Sequence, residues 1–565
     1  MEATRLRRRT RRIAAVSIAI VAFVDIASAL TLPLSGRLRT VRHLAPLAVP
    51  QTATVLVTVV GIGLLILARG VRRGQRHAWL LAIALLLASI AGHVVKGLDL
   101  EEALVAVAVC AFLLLHASDF AAPGNPSSAR RAALVVPVAA VAAVVAGVIG
   151  VELHRPRTPL GDAVRAVGER LVGVRETPLP TVTYEHLLAP SLLAVGISVA
   201  VYACWLAFRP ALVPRAGDLR PVSPDRARFL VREHGTGTLS YFALRDDKTW
   251  FVHGEPLVAY SVYHGTALVS PDPIGPIGER QQAWRAFREF ADDHGWSVAV
   301  MGASADWLPV YGTSGMHEVY IGDEAVVDVG RFSLEGKSRK SLRQSVSRVR
   351  REGYRTEFID PATCDPSVAA ELEAMLGESR RGDVERGYSM TLGRLFDPRD
   401  EGLLLAVARD GDGRAAAFCQ FVPARGISGW SLDLMRRTAR PEVPNGLTEM
   451  VVVDTIEHLR EQGDRGLALN FATFRAVLAA ETGDRLVQRF ERWVLERMGD
   501  SMQIESLWTF NEKFEPDWHP RYACYDSPEH LFTASLAVAR AESFVEIPVI
   551  GRFLGPSRNG PKGSP

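Results

Sequence analysis

Six runs of roughly twenty apolar residues fill the first third of the chain, and no run of that length follows Pro210. A helix needs about 20 largely apolar residues to cross the hydrocarbon of a bilayer. The runs at 13–33, 47–68, 78–97, 102–118, 132–152 and 187–208 are therefore read as a six-helix transmembrane domain over 1–209. The first follows Arg5, Arg7, Arg8, Arg9, Arg11 and Arg12. It is too long for a secretory signal and lacks a small-residue cleavage site, so it reads as a retained anchor. Those arginines, with Arg69, Arg72, Arg73, Arg76, Arg130 and Arg131, assign their ends to the cytoplasm. Arg37, Arg39 and Arg42 lie on the opposite side and oppose the assignment. An even number of spans returns the chain to the cytoplasm, which predicts a multi-pass protein of the cell membrane with a cytoplasmic soluble part.

Within the runs, Asp25, His93, Lys96 and His116 are ionisable. A charge at membrane depth is costly, so such residues either line a transport path or form satisfied interior contacts. Lys96 is at a run's end, where it can reach the interface, and the interior-contact reading is preferred. The stretch 155–176, with Val164, Val167, Leu171 and Val174 at helical spacing, is either an amphipathic helix on the outer surface or a loop helix packed on the bundle.

Pro210, Pro214, Pro221 and Pro224 mark a linker at 210–224. After it, short strand-like stretches alternate with helical ones, the pattern of an α+β unit. Strands are expected at Ser240–Leu244, Trp250–Val252, Leu257–Tyr263 and Thr266–Val269, followed by a helix Glu279–His294 and a strand Ser297–Met301. The same order returns with strands Gly402–Arg409, Ala415–Pro423 and Ile427–Met435, a helix Leu447–Gln462 and a strand Gly466–Phe471, with an Asp410-Gly411 hairpin turn. This duplication resembles a tandem acetyltransferase-like (GNAT) fold and predicts subdomains at 225–360 and 361–545, the second catalytic, with a flexible tail at 546–565.

The formal charge is only +3, from 65 Lys+Arg and 62 Asp+Glu, so affinity for polyanions must be local. It concentrates at 332–351, where Lys337, Arg339, Lys340, Arg343, Arg348, Arg350 and Arg351 meet one acid, Glu335. A helix there places Leu342, Val346 and Val349 on one face and the cations on the other, either as a solvated surface or as a site for RNA or lipid phosphates. In GWSLDLMRR, Asp433 and Arg436 end a strand whose alternation sets Leu432, Leu434 and Arg436 against Ser431, Asp433 and Met435. The two form either a structural ion pair or a carboxylate and guanidinium facing a substrate. A third window, 506–522, interleaves Trp508, Phe510, Phe514, Trp518 and Tyr522 with Lys513, His519 and Arg521, suited either to a ligand pocket or to a rigid core edge. His519 has no suitably spaced partner for a metal, and the five cysteines form no CxxC. GxxxxGK[ST], GxSxG, HExxH and the pyrophosphate loop of acetyl-coenzyme A users are all missing, so neither a metal nor another cofactor is expected.

Four segments together resemble the C-terminal domain of bacterial phosphatidylglycerol lysyltransferases: DKTWFVHGEPLVAYSVYHGTALVSPDPIGP at 247–276, GDEAVVDVGRFSLEGKSRKSLRQSVSRVRREGY at 322–354, SLDLMRR at 431–437 and NEKFEPDWHPRY at 511–522. The resemblance covers about 225–540. It implies an aminoacyltransferase that takes an amino acid, lysine or another, from aminoacyl-tRNA and esterifies it onto phosphatidylglycerol. Its functional Asp and Arg fall on Asp433 and Arg436, its late Lys and Arg on Lys513 and Arg521, and substrate-binding positions on Glu449 and Asn470. Lys337, Arg339, Lys340, Arg343 and Arg350 would then hold tRNA or lipid phosphates. Asp433 serves either as general base or as anchor of the donor's α-ammonium, and Lys513 or Arg436 stabilises the oxyanion. After Asn470 the chain reads FATFRAV where the family has a Gly and a Pro-Leu pair, and its membrane part is short, so neither lysine specificity nor lipid flipping is implied. Rival acceptors are diacylglycerol and a peptidoglycan precursor; the rival class is a transporter or flippase with a binding domain.

Overall fold

The computed structural model describes residues 2–30, 48–97, 100–122, 126–154, 159–171, 222–380, 388–473, 508–527 and 530–541, with four isolated positions between 192 and 199. The chain forms two compact units, Met1–Pro214 with Glu289–Trp296, and Arg215–Arg288 with Ser297–Pro565.

The first unit is helical: α1 Glu2–Leu30, α2 Ala48–Arg72, α3 Arg76–Gly97, α4 Leu100–Leu115, α5 Pro126–His154 and α6 Leu160–Leu171. Five of the six apolar runs are thus helices, and 187–208 falls almost wholly outside the described residues. The expectation of six spans is reduced here. Among the described residues only Arg76–Val94, 19 residues, is long and apolar enough to cross a membrane, and Pro137–Ile149 is a shorter apolar segment. α4 has 16 residues, and α1 carries the whole arginine cluster inside the helix, which shortens its apolar part. Asp25 and His93 meet inside the helices: Asp25 Oδ1 lies 2.8 Å from His93 Nε2 and accepts from Ser89 Oγ at 2.9 Å, while Asp25 Oδ2 and His93 Nδ1 are buried without a partner among the described residues. α6 buries Ala163, Ala166 and Val167 beside Val151 of α5, which is the packed-loop-helix alternative.

The second unit is built on one sheet of eleven strands, in the order β1-β2-β3-β4-β11-β5-β10-β9-β8-β7-β6. β1 Thr249–Val252, β2 Leu257–Tyr263 and β3 Thr266–Val269 form a meander, and β4 Ser297–Ser304 lies parallel to β3 after helix α8 Arg280–Asp293. β6 Arg355–Ile359, β7 Leu404–Arg409, β8 Ala415–Ala424 and β9 Gly429–Arg437 repeat the meander, and β10 Gly466–Thr473 lies parallel to β9 after helix α12 Leu447–Gln462. The two halves are sewn together by β5 His317–Asp328 and by β11 Asp517–Tyr525, the latter inserted between β4 and β5 rather than placed beside its chain predecessor. Among the described residues the remaining helices are α7 Pro224–His234, the short α9 Leu308–Thr313, α10 Lys340–Arg351, α11 Pro366–Arg380 and α13 Leu531–Ala541.

The expected strand Ser240–Leu244 is instead a 3-10 turn. All five of its residues are buried, whereas a strand of alternating pattern would expose one face.

One face of the second half is covered by α10 and α12. Leu342, Val346 and Val349 from α10 and Met450, Val453 and Ile456 from α12 pack on Ala325, Val327, Leu432, Leu467 and Leu469 of the central strands. Each fully buried aliphatic side chain contributes about 1.5–3 kcal/mol, so this layer fixes the strands whose opposite face carries the polar groups described next.

Candidate active site

β9 and β10 pair only where Gly429, Trp430 and Ser431 meet Gly466, Leu467 and Ala468. Glycine is required at the first contact, since a Cβ on Gly429 would stand 1.8 Å from the Gly466 carbonyl oxygen. Past Ser431 the β9 register continues with β8, and past Ala468 the β10 register continues with β5, so among the described residues two parallel neighbours part in the middle of the sheet. The Leu469 carbonyl, just past the last paired residue of β10, accepts from Asn511 Nδ2 at 3.3 Å.

Bulges flank the parting on both sides. On β9 the register slips between Gln420 and Phe421, which face Leu434 and Leu432, so Asp433 is an extra residue. The simple alternation expected from the sequence therefore fails. Leu432 joins the core under α12, Leu434 joins the core under α11, and Asp433 turns to the face away from α12. On β10 the register slips between Ala468 and Phe471, and Asn470 takes a left-handed backbone with φ 66°.

Ser431, Ala468 and Val326 form one row across β9, β10 and β5. Beyond that row lie Asp433 on β9, Asn470 on β10 and Glu324 on β5, and Glu324 is in register with Phe471 of β10 and His519 of β11. Asp433 and Asn470 each stand at a bulge, on the two strands that part there.

Asp433 is 5 % exposed. Its Oδ1 accepts from the Leu392 backbone N–H at 2.7 Å and its Oδ2 from Gln420 Nε2 at 2.6 Å. Arg436 is half-buried further along β9, where its Nη1 donates to the Met435 carbonyl. Glu449, in the first turn of α12, accepts from Lys513 Nζ at 2.8 Å. Burial pushes the Glu449 carboxyl up, but the Lys513 ammonium outweighs it and holds the group below the usual glutamate range. The pair therefore stabilises the fold above the unfolded glutamate pKa, about 4.3, and that contribution is lost as pH falls through the depressed folded value. The thermal midpoint of wild type minus that of Lys513→Met is expected to be constant between about pH 6 and 8 and to shrink on acidification below about pH 4. A difference that grows in acid contradicts the pairing.

Arg521 is 7 % exposed, and Glu324 beside it 1 %. Arg521 Nε and Nη2 both donate to Glu324 Oε2, at 3.1 and 2.5 Å, Nη2 also donates to Thr238 Oγ1 at 2.6 Å, and Nη1 donates to the Gly302 carbonyl at 3.3 Å. Burial works against the guanidinium's charge, yet Glu324 raises its pKa above the ordinary arginine value. Both residues line a cavity of about 260 Å³, together with Thr236–Ser240, Pro271–Gly275, Arg280, Asp306, Trp307, Val326 and His519. Asp272 there has both oxygens engaged, by Tyr311 Oη at 2.7 Å and the Ser304 N–H at 2.9 Å, and burial pushes its carboxyl up. Arg280 lies 5.1 Å over the Trp307 ring.

The six residues expected to act together thus occupy different settings. Arg521 lines the cavity; Asp433, Arg436 and Asn470 lie along the parting; Lys513 and Glu449 pair beside the start of α12. Glu324 was not singled out by the sequence reading, although an acid one step from Val326 in the run DEAVV is a signal, because a strand that is apolar on both sides buries whatever it carries.

The basic helix is more committed than its charges suggest. Arg339 pairs with Glu515 at 2.9 Å and lies 4.8 Å over Phe332; Arg343 donates to the Leu334 carbonyl; Arg350 pairs with Asp454, and with Glu457 at 2.7 Å. Lys337 and Lys340 are exposed. Among the described residues no cluster of three His, Cys, Asp or Glu side chains could hold a metal ion.

Two meander-helix-strand halves stand on one sheet, each with a parallel pair after its helix, an α+β fold that resembles the acetyltransferase-like one. Residues 227–525 match the family described as phosphatidylglycerol lysyltransferase, C-terminal, and the chain belongs to that family. Among similar proteins is a lysylphosphatidylglycerol biosynthesis bifunctional protein, LysX, of Mycolicibacterium gilvum, 34% identical over 66% of this chain and 34% of the relative. The LysX of Mycobacterium marinum is 32% identical over 83% of this chain and 46% of the relative. The chain thus spans less than half the length of these two relatives. The structure of L-PGS from Bacillus licheniformis superposes with a TM-score of 0.51 at 22% identity, over 57% of this chain and 97% of that one, which shows the shared fold.

Proposed function

We propose that the chain moves an aminoacyl group from tRNA to the glycerol hydroxyl of phosphatidylglycerol at the parting of β9 and β10. The observation that carries this is the pair of polar side chains Asp433 and Asn470 at bulges on the two parting strands, with buried Glu324 on the neighbouring strand, in a chain of this family. The lipid hydroxyl oxygen attacks the ester carbonyl, a tetrahedral oxyanion forms, and its collapse expels the ribose hydroxyl of the tRNA. One ester bond forms as one breaks, so no nucleotide is hydrolysed. Asp433 takes the proton from the attacking hydroxyl and returns it to the leaving ribose oxygen. The Leu392 N–H and Gln420 Nε2 hold its side chain in place for that task. Lys513 or Arg436 stabilises the oxyanion. Exposed Lys337 and Lys340 extend toward tRNA or lipid phosphates. The helical unit, read as a multi-pass anchor with the second unit cytoplasmic, holds the site where its acceptor is concentrated. The product is a less anionic lipid, and a bilayer rich in it attracts cationic peptides less.

Membranes carrying the protein, given radiolabelled aminoacyl-tRNAs one by one and vesicles containing phosphatidylglycerol, are expected to move label into the lipid fraction for at least one amino acid. Label entering diacylglycerol or a peptidoglycan precursor instead reassigns the acceptor, and no transfer from any aminoacyl-tRNA overturns the reading.

A further inference from the structure

Several buried polar atoms on the face turned away from α12 have no hydrogen-bond partner among the described residues: Ser431 Oγ, Gln420 Oε1, Asn470 Oδ1 and Glu324 Oε1. Three are acceptors only and the Ser431 hydroxyl both accepts and donates; they sit on β8, β9, β10 and β5, and these strands are consecutive neighbours in the sheet. Buried polar atoms are ordinarily satisfied, so a cluster left open marks a place where a ligand supplies the missing groups. A row of open acceptors calls for a ligand rich in donors.

Glu324 is the charged member of the row. Arg521 holds one of its oxygens twice, at 3.1 and 2.5 Å, which fixes the side chain, while the other oxygen has no partner among the described residues and the residue lines the cavity. The other carboxylates nearby are occupied or exposed. Asp433 has donors on both oxygens, Asp272 has donors on both oxygens, and Asp306 is exposed. In the same cavity, Arg280 over Trp307 has a buried Nε without a partner among the described residues. An open carboxylate oxygen and an open guanidinium N–H in one cavity complement a ligand that carries an ammonium and a phosphate together. The aminoacyl end of a charged tRNA does so.

Resting on the function proposed above, we infer that Glu324 is the anchor for the α-ammonium of the aminoacyl donor, set by Arg521, and that the Arg521–Glu324 cavity is the aminoacyl pocket. Asp433 is then free of the ammonium-holding role and remains the proton acceptor. The pocket selects donors with a free α-amine, whatever their side chain.

The test uses the full chain and two stable mimics of the donor terminus, 3′-alanylamino- and 3′-lysylamino-3′-deoxyadenosine, each with an α-hydroxy analogue that replaces the ammonium by a group of similar size. Wild type is expected to bind each amine at least about tenfold more tightly than its α-hydroxy analogue, from the strength of a charge-assisted hydrogen bond. Glu324→Gln is expected to abolish that preference for both amino acids. Equal binding of amine and hydroxy forms by wild type, or a preference undiminished in Glu324→Gln, overturns the inference. If the Gln variant does not fold, Glu324→Asp decides: retracting the carboxylate by one methylene must reduce the preference, and an unchanged preference refutes the anchor. Failure of the transferase reading is separate, because it appears as no label entering lipid from any aminoacyl-tRNA whether or not the amine preference is present.

Discussion

Asp433→Asn is expected to lower the rate of aminoacyl transfer at least about 100-fold, the usual contribution of a positioned general base. The substitution keeps size and leaves one oxygen to accept from the Leu392 N–H, but it sets an amide nitrogen against the Gln420 amide where a carboxylate oxygen now accepts. Reorientation of Gln420 can relieve that clash of donors, so the stability cost is about 1–3 kcal/mol, the range for one buried unsatisfied group. A structural effect and a catalytic one separate in the kinetics. Loss of the base lowers kcat, leaves the KM for aminoacyl-tRNA within a few-fold, and removes the acidic limb of the pH–rate profile. A variant that folds and turns over at the wild-type rate removes Asp433 from the chemistry.

Arg521→Met is the second large effect, and it acts first on stability. The guanidinium makes four hydrogen bonds and neutralises Glu324 in a setting almost closed to solvent. Removing one partner of a buried pair leaves an uncompensated charge, which costs roughly 3–5 kcal/mol. Pairing the change with Glu324→Leu removes the stranded carboxylate and is expected to restore most of the lost stability, because partners in one pair are strongly non-additive. Denaturant midpoints of wild type, both single variants and the double variant close the cycle. Transfer activity is expected to stay lost in the double variant, since the donor's ammonium then meets a methyl group. Recovery of activity together with stability would reduce the pair to a structural clamp.

Much of this could be read along the chain. The apolar runs mark where helices form, because length and apolarity are local properties. The repeated meander, helix and strand fell close to their observed limits from Trp250 onward, because alternation and turn residues act within a few positions. The stripe Leu342, Val346 and Val349 was legible for the same reason and is buried as its spacing requires. The cations beside it were not. Whether Arg350 meets solvent or Asp454 depends on a residue about a hundred positions away.

The sequence by itself determined which segments are helix and strand, that one half repeats the other, and which residues carry the family's signature, since each rests on neighbours in the chain. The tertiary structure alone decided that β11 enters the sheet between β4 and β5, bringing Arg521 onto Glu324. It also decided that bulges stand at Asp433 and Asn470 on the two strands that part. Strand order and bulge position are fixed by the packing of distant side chains over the whole sheet, and no local pattern encodes that competition.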